Sequence, residues 1–205
     1  MKLLDLVQSE DVVSIGKRLL GAQLITSFDG IYTSGIIVET EAYKAPEDKG
    51  SHAFANRRTK RTETLFKPGG IAYVYLCYGI HHLFNVVTAK EGIAHAVLIR
   101  AVEPKEGIRQ MQLRRKQKHV AYTLTNGPGK LTQALGIQTE HDTINLSEPE
   151  SSIRVIPSPT PLDGKEIICS PRVGIAYPKE CAHWPWRFRI RDNPWTSLPT
   201  TVSYD

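Results

Sequence analysis

The stretch Ile36-Ile37-Val38-Glu39-Thr40-Glu41-Ala42-Tyr43 passes from an apolar run into alternating acids and small side chains without a glycine or proline to break it. Read as a strand, it places Glu39, Glu41 and Tyr43 on one face and Val38, Thr40 and Ala42 on the other. Acids are poor strand formers, so two of them beside a tyrosine need a reason. One reason is the exposed face of an edge strand. The other is a carboxylate held at the mouth of a pocket as a general base, and this segment alone leaves both open. Immediately upstream, residues 22–25 and 31–43 read as strands about the Asp29-Gly30 turn, which is a hairpin signal and so begins an antiparallel sheet.

Working outward, Ser9 or Asp11 can cap a helix over residues 12–20 that Gly21 ends. Residues 44–70 are turn-rich and basic, and read as a long functional loop. Residues 71–78, 82–88 and 94–102 read as strands, and Pro104 is expected to open a basic helix reaching about Lys118. A short helix after Pro128 carries Leu131, Ala134 and Leu135 and stops at Gly136, and residues 144–191 hold several short strand candidates between Pro and Gly. Strand and helix alternate without a parallel repeat.

In Tyr73-Val74-Tyr75-Leu76-Cys77-Tyr78-Gly79, three of the eight tyrosines fall within six positions. Alternation puts Tyr73, Tyr75 and Cys77 on one side, with Val74, Leu76 and Tyr78 on the other, unless Gly79 starts a turn that swings Tyr78 outward. Aromatic strands pack in cores, but beside basic clusters they also serve as base-stacking platforms or wedges.

The 205 residues include 26 Lys and Arg against 21 Asp and Glu. One basic cluster is Arg57, Arg58, Lys60, Arg61 and Lys67, opposed by Glu63; a second is Lys105, Arg109, Arg114, Arg115, Lys116 and Lys118, opposed by Glu106. Each alone suits a solvated face, and the two together in one small domain point toward nucleic acid. The length suits one domain spanning residues 1–205. Cys77, Cys169 and Cys181 are too scattered for a disulfide framework or zinc knuckle, and the seven histidines show no ligand spacing, so no metal is expected. The first seven residues are too short an apolar run for a signal peptide or a membrane span, from which an intracellular protein is expected. Gly127-Pro128-Gly129-Lys130 lacks the Ser or Thr of a phosphate loop, since Leu131 follows; a helix start there either is plainly capped or binds DNA phosphate through free amides and Lys130.

Taken in order, Val38 to Tyr43, Pro46-Glu47-Asp48, His52, Arg58-Thr59, Phe66-Lys67-Pro68-Gly69, Tyr73-Val74-Tyr75, Tyr78-Gly79, Asn85 and the run from Leu98 to Pro104 resemble the alkyladenine (3-methyladenine) DNA glycosylases. Gly127 to Leu131, Ala134 to Ile137, Arg172 to Ile175, Arg187-Phe188 and Pro194-Trp195 extend the likeness over nearly the whole chain. The resemblance implies an α+β fold, one mixed domain with a curved antiparallel sheet surrounded by helices. It implies a monomer that needs neither metal nor organic cofactor, and a partner in double-stranded DNA containing damaged purines, met in the cytoplasm and nucleoid if the source is bacterial. Position by position, Glu41 matches the base that activates water at the sugar C1′, and Arg100 the residue that helps hold that water. Tyr43 and His52 match residues stacking on one side of a flipped base and Tyr75 the one on the other. Tyr78 matches the side chain that enters the duplex, and Asn85 the residue that crowds guanine's exocyclic amine. With Tyr78, the basic residues Arg58, Arg61, Lys67 and Lys130 are expected to meet DNA.

The chemistry fits these residue types. A glycosidic bond cannot be reached inside stacked DNA, so the nucleotide must rotate out, most cheaply where it is damaged. Purines alkylated at N3 or N7 are cationic and are attracted to tyrosine faces by about 0.5–2 kcal/mol. A carboxylate near C1′ both offsets the positive charge growing on the sugar and takes the water proton. The reading from another class is a non-catalytic module for distorted DNA, and a third is a small-molecule protein whose tyrosine-lined pocket holds a nucleobase.

Overall fold

The computed structural model describes residues 2–175 and 179–197. The expected single domain over residues 1–205 therefore includes positions outside the described ones: Met1, 176–178 and 198–205. The frame is one eight-stranded antiparallel sheet, in the order β3-β4-β5-β2-β1-β6, with β8 added to β2 and β7 to β8. Its strands are β1 (Gln23–Phe28), β2 (Ile31–Lys44), β3 (Ala72–Cys77), β4 (His81–Thr88), β5 (His95–Glu106), β6 (Ile153–Ile156), β7 (Ile167–Ser170) and β8 (Arg187–Ile190). Among the described residues five helices surround it: α1 (Leu3–Val7), α2 (Val12–Arg18), α3 (Ile108–Arg115), α4 (Pro128–Leu135) and α5 (Lys179–Ala182). The chain is thus an α+β domain, and among the described residues no helix is long and apolar enough to cross a membrane.

The hairpin forms where expected, with Asp29 and Gly30 both at positive φ in the turn between β1 and β2. The Asp11 carboxylate accepts from the Ser14 amide at 3.0 Å and starts α2. That helix lies so close to β8 that a Cβ on Gly16 would sit 2.8 Å from the Phe188 ring. Thr40 of β2 donates to the Gly16 carbonyl at 2.8 Å, which fixes the helix over this face. Ala42, Ala72, Val74, Phe84, Val86, Val97 and Ile99 turn to the same main core. The opposite face of β3, β4, β5 and β2 is left for the site.

One open alternative is decided and one expectation is corrected. β2 is not an edge strand: β5 pairs along nearly its whole length, while β1 takes residues 31–36 and β8 takes 39–41. Glu39 and Glu41 are accordingly buried, not the exposed face of an edge. Pro104 does not open a helix but lies inside β5 opposite Gly35, at a shift in register. A proline has no N–H to give a ladder, and an irregular position is where a strand tolerates one. The basic helix begins only at Ile108, after Gly107 has turned the chain.

The β2–β5 ladder carries two successive irregularities. Ile37 faces Val102, Glu39 faces Ala101 and Thr40 faces Ile99, so Val38 on one strand and Arg100 on the other have no opposite number. Bulges bend a sheet and re-aim the side chains beside them. Here they curve the sheet at the residues that carry its charges.

Candidate active site

One transverse row of the sheet sets the geometry: Tyr73 stands opposite Asn85, Asn85 opposite Leu98, and Leu98 opposite Glu41. These four therefore share one face, with Tyr75 and Tyr43 two residues further along their strands on that same face. Above it opens a cavity of about 470 Å³, bordered by Tyr43, His52, Tyr75, Asn85 and Arg100. The volume is in the range of small-molecule sites.

Glu41 is fully buried. Its Oε2 accepts from the Tyr43 hydroxyl at 2.9 Å, and its Oε1 accepts from the Val173 amide at 2.7 Å and pairs with Arg100 Nη1 at 3.2 Å. Tyr43, Arg100 and Val173 all border the cavity, whereas Glu41 itself lies directly behind them. Burial, and then the adjacent Glu41 charge, push the Tyr43 phenol well above its usual pKa, so it remains a donor. Burial pulls on the Arg100 guanidinium, but Glu41 and Glu39 outweigh it and hold Arg100 firmly protonated.

Glu39, on the same face, has a different setting. Its Oε1 accepts from Arg100 Nε at 2.8 Å, from Arg187 Nε at 2.7 Å and from the Ser197 hydroxyl at 2.8 Å, and its Oε2 from the Ser197 amide at 2.6 Å. Burial pushes this carboxyl up, yet Arg100, Arg187 and Ser197 together hold it below the ordinary value. With every acceptor engaged, Glu39 is a clamp that orients Arg100 toward Glu41.

His52 packs edge-on against Tyr75 with ring centres 4.6 Å apart, Tyr73 stacks on Tyr75 at 5.3 Å, and His52 Nδ1 lies 3.0 Å from the Tyr73 hydroxyl. His52, Tyr73 and Tyr75 thus form one aromatic wall of touching rings. Tyr43 stands apart, with the Arg172 guanidinium 4.6 Å from its ring centre. Burial, with a smaller push from Arg61, lowers the His52 pKa to about 4, and burial raises Tyr73 to about 12, so both are neutral near pH 7. Asn85 is buried and donates to the Tyr73 carbonyl at 3.1 Å.

At the tip of the β3–β4 hairpin, Gly79 does swing Tyr78 outward: Tyr78 has φ 51° and is 89% exposed, among the most solvent-accessible apolar surfaces of the chain. Of the basic residues expected at DNA, Arg61 borders the cavity, its guanidinium 5.0 Å from the Tyr75 ring centre. Arg58 is bound to Glu63 at 2.9 and 2.6 Å, Lys67 is exposed, and Lys130 reaches Asn126 at 2.9 Å. No side chain caps the start of α4, where Pro128 also borders the cavity.

Sequence reading gave no role to Arg172, Asp48 or Arg187. Arg172 is buried, with bonds to Asp48 at 2.5 and 2.7 Å and to the Ala42 carbonyl at 2.8 Å. It joins the loop after β2 to the segment whose Val173 amide holds Glu41. The only signal was their presence in the ordered run of motifs, because partners over a hundred residues apart leave no mark in local spacing.

Comparison with known proteins points to one family. The family model described as Methylpurine-DNA glycosylase matches residues 6–194. A protein of Bacillus cytotoxicus named "Putative 3-methyladenine DNA glycosylase" is 46% identical over 193 residues, covering 91% of this chain and 95% of its own. One of the same name from Chlamydia felis is 47% identical over 186 residues, covering 89% and 92%.

Proposed function

Because the chain belongs to the methylpurine-DNA glycosylase family, we propose that it hydrolyses the N-glycosidic bond of damaged purines in duplex DNA and leaves an abasic site, as a monofunctional, monomeric enzyme acting inside the cell. The observation that carries this reading is the grouping of Arg100 and Tyr43 at a cavity with an aromatic wall, with Glu41 bonded to both directly behind them. The damaged nucleotide rotates out of the helix while Tyr78 fills the gap it leaves, at a cost of a few kcal/mol that is smallest for weakened pairs. The base lies between the His52–Tyr75 wall and Tyr43, and Asn85 crowds the exocyclic amine of guanine. A water that joins the contacts of Arg100 and Glu41 forms its bond to C1′ as the C1′–N bond breaks. The electron pair leaves with the purine and the water proton passes to the Glu41 carboxylate. A cationic alkylpurine departs neutral and needs no acid, whereas a neutral purine such as hypoxanthine departs as an anion and takes its proton from solvent water.

A second reading has an observation in its favour: Glu41 is fully buried, with both oxygens engaged. On that reading the chain recognises distorted DNA without cutting any bond, and Glu41 is a structural acid. Incubation with a duplex holding one hypoxanthine, followed by alkali, separates the two. Released base and a strand break at the lesion support hydrolysis; tight binding with intact DNA supports the alternative.

A further inference from the structure

Arg100 and Arg61 both bring a guanidinium to the cavity. Arg100 is matched by Glu39 and Glu41. Arg61 has no carboxylate at ion-pair distance among the described residues; instead its guanidinium lies over the Tyr75 ring, 5.0 Å from the ring centre. Two consequences follow. A cation over a ring engages the electron density that would otherwise attract a cationic base. The charge is also felt within the cavity, because Arg61 opposes protonation of His52 and favours the anionic forms of Tyr73 and Tyr75. A cationic purine among the same rings meets the same field. The facing ring, Tyr43, is likewise covered by a guanidinium, that of Arg172, although Asp48 neutralises it.

We propose that Arg61 is a specificity-determining residue that disfavours cationic purines relative to neutral ones, shifting the site toward neutral lesions such as hypoxanthine and ethenoadenine. This rests on the glycosylase reading and qualifies the expectation that tyrosine walls simply favour alkylated, cationic bases.

The test is single-turnover release of 7-methylguanine and of hypoxanthine from otherwise identical duplexes by wild type, Arg61→Gln and Arg61→Lys. Comparing the ratio of the two rates cancels any phosphate contact that Arg61 makes with either duplex. Arg61→Gln is expected to raise the ratio of 7-methylguanine to hypoxanthine release by about threefold to tenfold, and Arg61→Lys, which keeps the charge, to leave it within about twofold. Equal changes on both substrates with Gln, or a shift with Lys as large as with Gln, overturns the proposal. If wild type releases neither base while binding both duplexes, the glycosylase reading itself has failed and the proposal falls with it.

Discussion

Replacing Glu39 by Gln tests whether that residue is a clamp or a reacting group. The side chain keeps its shape and one acceptor oxygen, but two buried guanidiniums, Arg100 and Arg187, lose the charge at 2.8 and 2.7 Å that compensates them. Breaking a buried ion pair from one side costs about 3–5 kcal/mol, and the lower figure applies more closely here because Arg100 keeps Glu41 at 3.2 Å and Arg187 keeps Ser197. Against a total stability of about 5–15 kcal/mol that is a large share. For a chain of this size each kcal/mol moves the melting point by roughly 2–4 °C, so Glu39→Gln is expected to melt about 6–20 °C below wild type. The acid limb supplies a second readout. The folded carboxyl is held below its ordinary value of 4.5, so the unfolded chain takes the proton first on acidification. The clamp's contribution is therefore complete above that value and is lost as pH falls through the folded one. The variant lacks that component, so its melting point declines less steeply in acid. Thermal melts followed by circular dichroism from pH 7 to pH 3 read both effects. A variant within about 1 kcal/mol of wild type at pH 7 refutes the clamp.

Three further outcomes are expected. His52 is held at about 4 in the fold and returns to about 6.5 when unfolded, so the unfolded state binds the extra proton between those values and stability falls as pH drops through that window; His52→Asn should flatten the dependence of melting point on pH there. Tyr78→Ala should leave the melting point unchanged, since the ring is 89% exposed, while weakening lesion binding and base release on duplex more than on single strands; equal loss on both would count against a wedge. Asn85→Ser should release some guanine from mismatched pairs, and unchanged selectivity would remove Asn85 from the discrimination of purines.

Much of the sheet was legible because alternation is a local property. Glu39, Glu41 and Tyr43 do share a face, as do Tyr73 and Tyr75, and Gly79 does turn Tyr78 outward. The bulges at Val38 and Arg100 were not legible, since an extra residue in a ladder depends on the partner strand and leaves no compositional mark. Pro104 misled for a related reason: proline is enriched at the first position of helices, and only the facing irregularity at Gly35 makes it acceptable in this strand. The burial of Glu39 and Glu41 was equally hidden, because an exposed edge strand and a charged interior strand read alike until Arg100, Arg187 and the Val173 amide arrive from distant parts of the chain.

The central claim is that Glu41, though sealed behind Tyr43, Arg100 and Val173, activates the water that cleaves the bond. Glu41→Gln keeps an oxygen for the Val173 amide and removes the base, so the cavity and the exposed Tyr78 are left as they are. Gel-shift and single-turnover excision on one hypoxanthine duplex, run on wild type and variant together, give the direct answer. The account predicts near-normal binding with excision lowered by about 10²–10⁴-fold. Excision by Glu41→Gln at the wild-type rate would contradict it.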